Sequence, residues 1–282
     1  MELFSLGIGN YTETDVRESA RAFTGWGIRS DSFFFDAAQH DEGNKTFLGQ
    51  SGNFNGDDII DIILRQPAAA QYISRRLFQF FAYDDPPPQV IARLAKVFTT
   101  NNRSIKAVVR EILTSDEFYS QQAYRAKIKS PAELVASTIR TLEIETDATP
   151  LPGPLNSMGQ VLFNPPDVSG WKGGAAWINS NTLLSRINFA NMVATARGAK
   201  FKFSPGDFVA LQNASPPRDA ITYLVDTLLD GVMPNAEREI LTVYLRQSAN
   251  PTASTGTGRA AADERLRGVL YLVLAGPEYQ LA

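Results

Sequence analysis

The chain has 282 residues, of which 44% are hydrophobic, 20% charged and 10% aromatic, which excludes a disordered chain and a disulfide-stapled miniprotein. Its net charge of −3 supplies no basic field for a phosphate backbone, so we expect no nucleic-acid partner. The chain has no cysteine, no run of about 18 apolar residues and no secretory signal in MELFSLGIGN, which excludes thiolate chemistry and predicts neither a transmembrane segment nor export of the chain as given.

Helices dominate the predicted elements, because proline or a capping residue recurs just before apolar residues at three- and four-residue spacing. In chain order, the predicted helices span residues 12–24, 67–81, 88–98, 104–113, 130–142, 180–197, 216–229, 235–248 and 260–275. We find no convincing run of alternating strand residues. The sequence therefore predicts an all-α, multi-helix fold.

An internal similarity organises this helical part. The string ILTSDEFY at 112–119 resembles VLAGPEYQ at 273–280, and each string follows an amphipathic pattern. This predicts two similar three-helix units, at 67–119 and 215–280, which share apolar and helix-end positions.

The predicted organisation is one domain over residues 1–282 with four parts. An acidic N-terminal part, with five basic and eleven acidic side chains, precedes a first helical unit, a connecting loop rich in Pro, Gly and Trp, and a second helical unit. These parts span residues 1–66, 67–142, 143–178 and 179–282. A loop as long as the connecting one usually carries a function or joins two halves.

The segment FFFDAAQHDEGNKTFLGQSG, residues 33–52, holds the strongest candidate site. Asp36, the single histidine His40 and Asp41 are suitable ligands for a divalent metal, and Lys45 could neutralise an anionic ligand. One histidine excludes three-histidine zinc sites and the two-histidine iron triad within one chain. The alternative is structural: His40 and Asp41 cap helices or turns, and Lys45 pairs with a carboxylate.

A second candidate is LFNPPDVSGWKGGAAWINSNTLLSR, residues 162–186. Trp171 and Trp177 offer broad faces that could contact a glycan or a partner protein, while neighbouring glycines allow unusual backbone angles. Buried tryptophans would instead anchor the loop. No phosphate-binding loop, dinucleotide motif or nucleophile–base pair is evident, which leaves both an enzyme and a non-catalytic helical binding module open.

Four stretches in order along the chain carry a family resemblance. They are MELFSLGIGNYTETDVRESARAFTGW, HDEGNKTFLG, QPAAAQYISRRLFQFF and the Pro-Pro-Asp…Gly-Trp…Trp-Ile-Asn loop. Together they resemble the bacterial family called domain of unknown function 1800. His40, Asp41, Gly43, Lys45 and Gly49 match its His-Asp-x-Gly-x-Lys pattern, and Trp171 matches its Gly-Trp loop.

The resemblance implies a mostly helical protein whose molecular function is not established. Family members often carry an export signal, so the resemblance implies a periplasmic or secreted location. Their genes commonly lie beside those for a second exported family that resembles sulfatases or phosphatases, which implies an exported partner protein. The match begins in what looks like the middle of the family domain, so we expect the C-terminal part of a longer protein or a short member. The function predicted is thus an envelope protein with a metal- or anion-binding site around His40, or a scaffold that binds through the Trp171–Trp177 loop.

Overall fold

The computed structural model describes residues 1–211, 217–246 and 256–282, which fall into two units. Unit 1 comprises Met1–Tyr124, and unit 2 comprises Arg125–Ala282. Most of the described residues are helical, which confirms the helical part of the predicted fold. None of the described helices is both long and apolar enough to cross a membrane.

Unit 1 begins with a short, mixed region and ends with four consecutive helices. Its elements are a π-helical turn (Glu2–Leu6), α1 (Glu13–Ala22), β1 (Trp26–Arg29), β2 (Ser32–Phe35), a 3-10 turn (Ala37–Gln39), β3 (Lys45–Phe47), β4 (Gln50–Gly52), α2 (Gly56–Arg65), α3 (Pro67–Phe81), α4 (Pro88–Thr100) and α5 (Ile105–Leu113).

Local sequence signals fix where several of these helices begin. Thr12 and Asn55 each accept a hydrogen bond from the backbone N–H three residues later, and the carboxylates of Asp15 and Asp58 accept one in return. Such capping boxes satisfy two N–H groups that a helix start otherwise leaves unpaired. The apolar sides of α1 and α2 then meet in a small core that includes Phe47 of β3.

Two β-hairpins in unit 1 correct the prediction that the fold is all-α. Strand β1 pairs antiparallel with β2, with Trp26 opposite Phe35, and β3 pairs antiparallel with β4, with Lys45 opposite Gly52. The strands are only four and three residues long. Such short strands show too few alternations to stand out as a period of two.

The turns of these hairpins explain why short strands form here. Ser30 and Asp31 have φ values of 51° and 59°, and Leu48 and Gly49 have 46° and 78°. Two successive positive φ angles give the tight turn whose twist matches that of an antiparallel pair. Ser-Asp and Leu-Gly are weak sequence signals for this turn, which is why the sequence pattern missed both hairpins.

Unit 2 holds seven helices among its described residues, together with a small sheet. Its elements are α6 (Pro131–Thr141), β5 (Glu145–Thr146), α7 (Pro152–Ser157), a 3-10 turn (Gly174–Trp177), α8 (Ser180–Ala194), β6 (Arg197–Gly198), β7 (Phe201–Lys202), α9 (Pro205–Leu211), α10 (Pro217–Leu229), α11 (Asn235–Arg246), α12 (Gly256–Ala275) and a 3-10 turn (Glu278–Gln280). The sheet is antiparallel with β7 in the centre, between β5 and β6.

The core of unit 2 forms where α12 contacts α8, α10 and α11. Leu224, Val225, Val269 and Leu270 are among its fully buried side chains. The predicted connecting loop, 143–178, holds β5, α7 and a 3-10 turn, and residues 158–173 between the last two are irregular.

Each predicted repeat contains three helices that contact one another: α3 to α5 in unit 1, and α10 to α12 in unit 2. The second copy includes residues 215–216 and 247–255, which lie outside the described residues. The similarity of the two three-helix units therefore stays a prediction.

Gly56 lies at a close contact between α2 and the segment that contains Phe23 and Trp26. A Cβ at this position would lie 2.7 Å from Cδ1 of Phe23 and in direct collision with the ring of Trp26. We expect Gly56→Ala to lower the free energy of unfolding of unit 1 by about 1–3 kcal/mol, although alanine normally favours a helix. Hydrogen exchange of α2 measures this loss, and Gly153→Ala in α7, with no heavy atom within 4 Å of the added Cβ, is the control. Equal protection in both variants would contradict the close approach.

Candidate functional site

His40 lies directly after the 3-10 turn that follows β2, and its ring is held on two sides. Its Nδ1 lies 2.8 Å from the carbonyl oxygen of Thr24, and the edge of its ring meets Phe35 at a centroid distance of 5.4 Å. Because a carbonyl oxygen only accepts, Nδ1 carries the proton and donates it. In the tautomer that makes this hydrogen bond, the lone pair of the ring is on Nε2.

Asp41 is held by an arginine from helix α1. Nε and Nη2 of Arg21 donate to its two carboxylate oxygens at 2.7 and 3.2 Å, while Nη1 of Arg21 donates to Glu18 at 2.9 Å. The hydrogen bond from Arg21, followed by one from the backbone N–H of Gly43, lowers the pKa of Asp41 to about 2. Both carboxylate oxygens are thus occupied by protein donors.

Lys45 is the most deeply buried charged residue of unit 1, with 0% of its surface exposed. Its ammonium group donates to the carbonyl oxygens of Asp41 and Gly43 and to Oδ1 of Asn53 at 3.3 Å. An ammonium group has three N–H bonds, so no donor remains for a ligand. Lys45 thus organises residues 40–53, here called the Lys45 loop, around a buried positive charge.

The same loop is attached to helix α1 by carboxylates of that helix. Glu18 accepts a hydrogen bond from the backbone N–H of Thr46 at 3.1 Å, and Asp15 accepts one from Leu48 at 2.7 Å. These bonds, with the Arg21–Asp41 ion pair, fix the β3–β4 hairpin on α1. The His-Asp-x-Gly-x-Lys motif thus supplies local structure in unit 1.

The three predicted metal ligands do not form a metal-binding group. Oδ1 of Asp36 accepts from the backbone N–H of Ala38 at 3.1 Å and caps the 3-10 turn, while His40 and Asp41 have the partners given above. In the described residues, no three His, Cys, Asp or Glu side chains come together in a way that could hold an ion.

The two tryptophans of the second candidate differ in their exposure. Trp177 is only 8% exposed, and its carbonyl oxygen accepts a hydrogen bond from Oγ1 of Thr182 at 2.9 Å. Asn179 caps α8 through the backbone N–H groups of Asn181 and Thr182. Trp171 is half-buried. The Trp177 side of the loop is therefore an anchor, and its ring is not available at the surface.

Besides polar side chains, this loop exposes aliphatic and phenyl groups that the sequence analysis did not single out. Val161, Leu162, Phe163 and Val168 are all exposed, and we call these four side chains the apolar loop surface. Phe163 has 100% of its surface exposed and a φ of 62°. The only sequence signal for this surface was the run Val-Leu-Phe just before Asn-Pro-Pro. Without the tertiary structure, such an apolar run predicts an ordinary core segment.

The loop is anchored to α6 before this surface and forms a local turn after its first three residues. Oε1 of Gln160 accepts a hydrogen bond from the backbone N–H of Ala132 at 2.8 Å, before the exposed run. After it, Oδ1 of Asp167 accepts from the backbone N–H of Ser169 at 2.7 Å, and hydrogen bonds from Ser169 lower the pKa of Asp167. These bonds present Phe163 on an ordered support.

Unit 2 also contains buried cations that bind backbone carbonyl groups. Arg186 is fully buried and donates to the carbonyl oxygen of Lys129 at 2.8 Å and to Oε1 of Gln280 at 3.1 Å. The ammonium group of Lys129 donates to the carbonyl oxygen of Tyr279 and lies 4.1 Å from the centre of its ring. Burial, followed by repulsion from Arg125, lowers the pKa of Lys129 to about 8. These contacts fix the 3-10 turn Glu278–Gln280, and no sequence motif predicted them.

Comparisons with known proteins add one match. The model of a family described as "Protein of unknown function (DUF1800)" matches residues 1–281. No curated protein and no solved structure matches the chain.

Removal of the buried ammonium should destabilise unit 1. Lys45→Met leaves three oxygen acceptors without their donor, so we expect the free energy of unfolding to fall by about 2–4 kcal/mol. Lys106→Met, at an exposed position of α5, should change it by less than about 0.5 kcal/mol. Hydrogen exchange of residues 40–53 and chemical denaturation measure both effects. Equal stability of the two variants would show that the hydrogen bonds of Lys45 do not stabilise unit 1.

Asp41 should make unit 1 sensitive to acid. Its pKa in the folded state, about 2, lies below the usual 3.8, so its stabilising contribution is complete above pH 4 and is lost as the pH falls towards 2. Asp41→Asn removes this part of the pH dependence. Denaturation between about pH 2 and pH 6 measures the difference from the parent chain. An NMR titration that gives Asp41 its usual pKa would contradict the prediction.

Proposed function

This chain belongs to the DUF1800 family of proteins of unknown function, which its sequence matches over residues 1–281, and within that family we propose that it is a non-catalytic binding module. In this proposal the apolar loop surface of unit 2 binds a partner protein, and the Lys45 loop has a structural role. The proposal keeps the binding module expected from the sequence as its second function, but it replaces Trp171 and Trp177 as the contact residues with the apolar loop surface.

The observation that carries the proposal is the conformation of Phe163. Its side chain is fully exposed, and its φ of 62° is unfavourable for a bulky residue by about 1–2 kcal/mol. Both features cost free energy in the isolated chain, since water covers the phenyl ring and the backbone is strained. Strained residues that the surrounding structure enforces are concentrated at binding sites and active sites. A partner with a pocket for the ring would recover the part of this free energy that comes from the exposed phenyl surface.

The chemistry of the surface favours a protein over a glycan. Sugar recognition commonly uses flat aromatic faces beside polar groups. Here Trp177 is buried and Trp171 is half-buried, whereas the apolar loop surface is exposed. Exposed aliphatic groups near an exposed phenyl group in sequence instead favour an apolar contact with a partner protein. A glycan ligand is an alternative outcome of the experiment below.

We also propose a location and a kind of partner, both from the family resemblance. The chain acts in the periplasm or outside the cell, and its partner is an exported protein encoded nearby. An ordered apolar loop is suited to this role because it needs no cofactor and no reaction. A fusion to an enzyme that is active only after export tests the location in cells that express the complete gene.

Site-specific photo-crosslinking tests the docking surface. A benzophenone amino acid replaces Phe163 or Val168, and the control replaces Ile240, which is exposed on α11 of the same unit. One protein crosslinked from positions 163 and 168, but not from 240, is then purified and tested for binding to the parent chain. Support requires direct binding that Leu162→Ser weakens by about tenfold or more. Adducts to polysaccharide alone, or identical adducts from position 240, would overturn the proposal.

Phe163→Gly should separate stability from binding. Glycine adopts a φ of 62° without strain, so we expect unit 2 to become more stable by about 0.5–1 kcal/mol. The same change removes the anchor ring and should abolish partner binding. Thermal unfolding and a direct binding assay measure the two effects, with Phe163→Ala as the variant that loses the ring but keeps the strain. Unchanged binding by the Gly variant would show that Phe163 is not part of the interface.

A further inference from the structure

The β1–β2 hairpin of unit 1 has one apolar face that no other element covers completely. The pairing places Trp26 opposite Phe35 and Ile28 opposite Phe33, so these four side chains share one face. Ile28 is 81% exposed and Phe33 is 64% exposed. We call this set of four side chains the aromatic hairpin face.

This face is ordered by aromatic contacts within unit 1. The ring of Trp26 lies edge-on between Phe23 and Phe33, at centroid distances of 5.0 and 5.1 Å. The backbone N–H of Asp36 donates to the carbonyl oxygen of Gly25 at 2.7 Å and holds the end of β2. A binding surface that is already ordered loses little conformational entropy when a partner binds.

The charged residues that adjoin this face in sequence, or next to Gly56, are mainly acidic. Asp31 lies in the hairpin turn, Asp36 directly follows β2, and Asp57 follows Gly56, which packs on Trp26. Within residues 1–124, all of which are described, none of these three carboxylates forms an ion pair. The nearest cation in sequence, Arg29, lies on the opposite face, with its guanidinium carbon 4.3 Å from the centre of the Phe34 ring.

We propose that the aromatic hairpin face binds a cationic amphipathic segment of another protein. Its apolar side chains would cover Ile28 and Phe33, and its lysines or arginines would lie beside Asp31 and Asp57. Charge complementarity of this kind steers association and selects partners. A second copy of this chain would bring two acidic rims together, and an anionic membrane would be repelled by the same carboxylates.

This inference is independent of the proposed function, because it concerns unit 1 and uses none of the residues of the apolar loop surface. Each of the two proposed binding surfaces can therefore be contradicted without affecting the other. The experiment uses the full chain with Phe163→Gly, so that peptides bound to the apolar loop surface do not contribute.

A random displayed library of peptides of about 12 residues is selected on this chain, and the enriched peptides are synthesised. We expect them to combine aromatic or aliphatic residues with Lys or Arg. Ile28→Ser with Phe33→Ser should weaken their binding by about tenfold or more, and Asp31→Lys with Asp57→Lys should weaken it by about threefold or more. Phe80→Ser, at an exposed position of α3 in the same unit, is the matched control and should have no effect.

Salt and self-association provide the remaining tests. Affinity for the peptides should fall as the salt concentration rises from about 0.05 M to about 0.5 M. Acidic or uncharged consensus peptides, or peptides that bind the Ile28/Phe33 variant with unchanged affinity, would overturn the proposal. A dimer of the chain that the Ile28/Phe33 variant dissociates would assign the face to a second copy. Binding to vesicles of anionic lipid that this variant loses would assign it to a membrane, and either result also overturns the proposal.

Discussion

The burial of Lys45 is the constraint on which the irregular part of unit 1 depends. A charged ammonium group without water is very unfavourable unless oxygen atoms replace its hydration shell. The Lys45 loop supplies them from Asp41, Gly43 and Asn53, so its backbone must curve around one point. The Arg21–Asp41 ion pair then fixes the curved loop on helix α1. A segment with little regular secondary structure thereby acquires one conformation.

Unit 2 uses the same principle with arginines. Arg267 donates to the carbonyl oxygens of Ala194 and Phe203, both at 2.8 Å, and pairs with Asp263. Arg186 holds the end of the chain through Gln280 and carries no carboxylate partner among the described residues. In both units, buried cations satisfy carbonyl groups at helix ends and loops, where the backbone itself has no partner. Buried charged residues thus stabilise the fold in both units, while the surfaces proposed for binding are apolar.

The contrast between paired charged residues and exposed apolar residues decides how the sequence motifs are interpreted. The polar motif around His40 has the residue types of a ligand site, yet the carboxylate of Asp41 and the ammonium group of Lys45 have their partners within the protein. The apolar loop surface and the aromatic hairpin face contain ordinary core residue types, yet they are exposed. Large exposed apolar groups are costly in a free chain and typical of interaction sites. The features that point to function are therefore those in which exposure contradicts residue type.

The sequence by itself determined most of the helices, because proline, capping residues and apolar spacing act within one or two turns of chain, but α2, α7 and α9 were not predicted. Helices α3, α4 and α6 begin where Pro67, Pro88 and Ser130 predict. It also indicated the two segments that matter, through their unusual composition and the family resemblance. Tertiary structure alone decided which side chains of those segments are accessible. Lys45 is buried and Phe163 is exposed because contacts between segments distant in sequence, such as Arg21 with Asp41 and Ala132 with Gln160, fix the loops that carry them. Such long-range contacts leave no local pattern in the sequence.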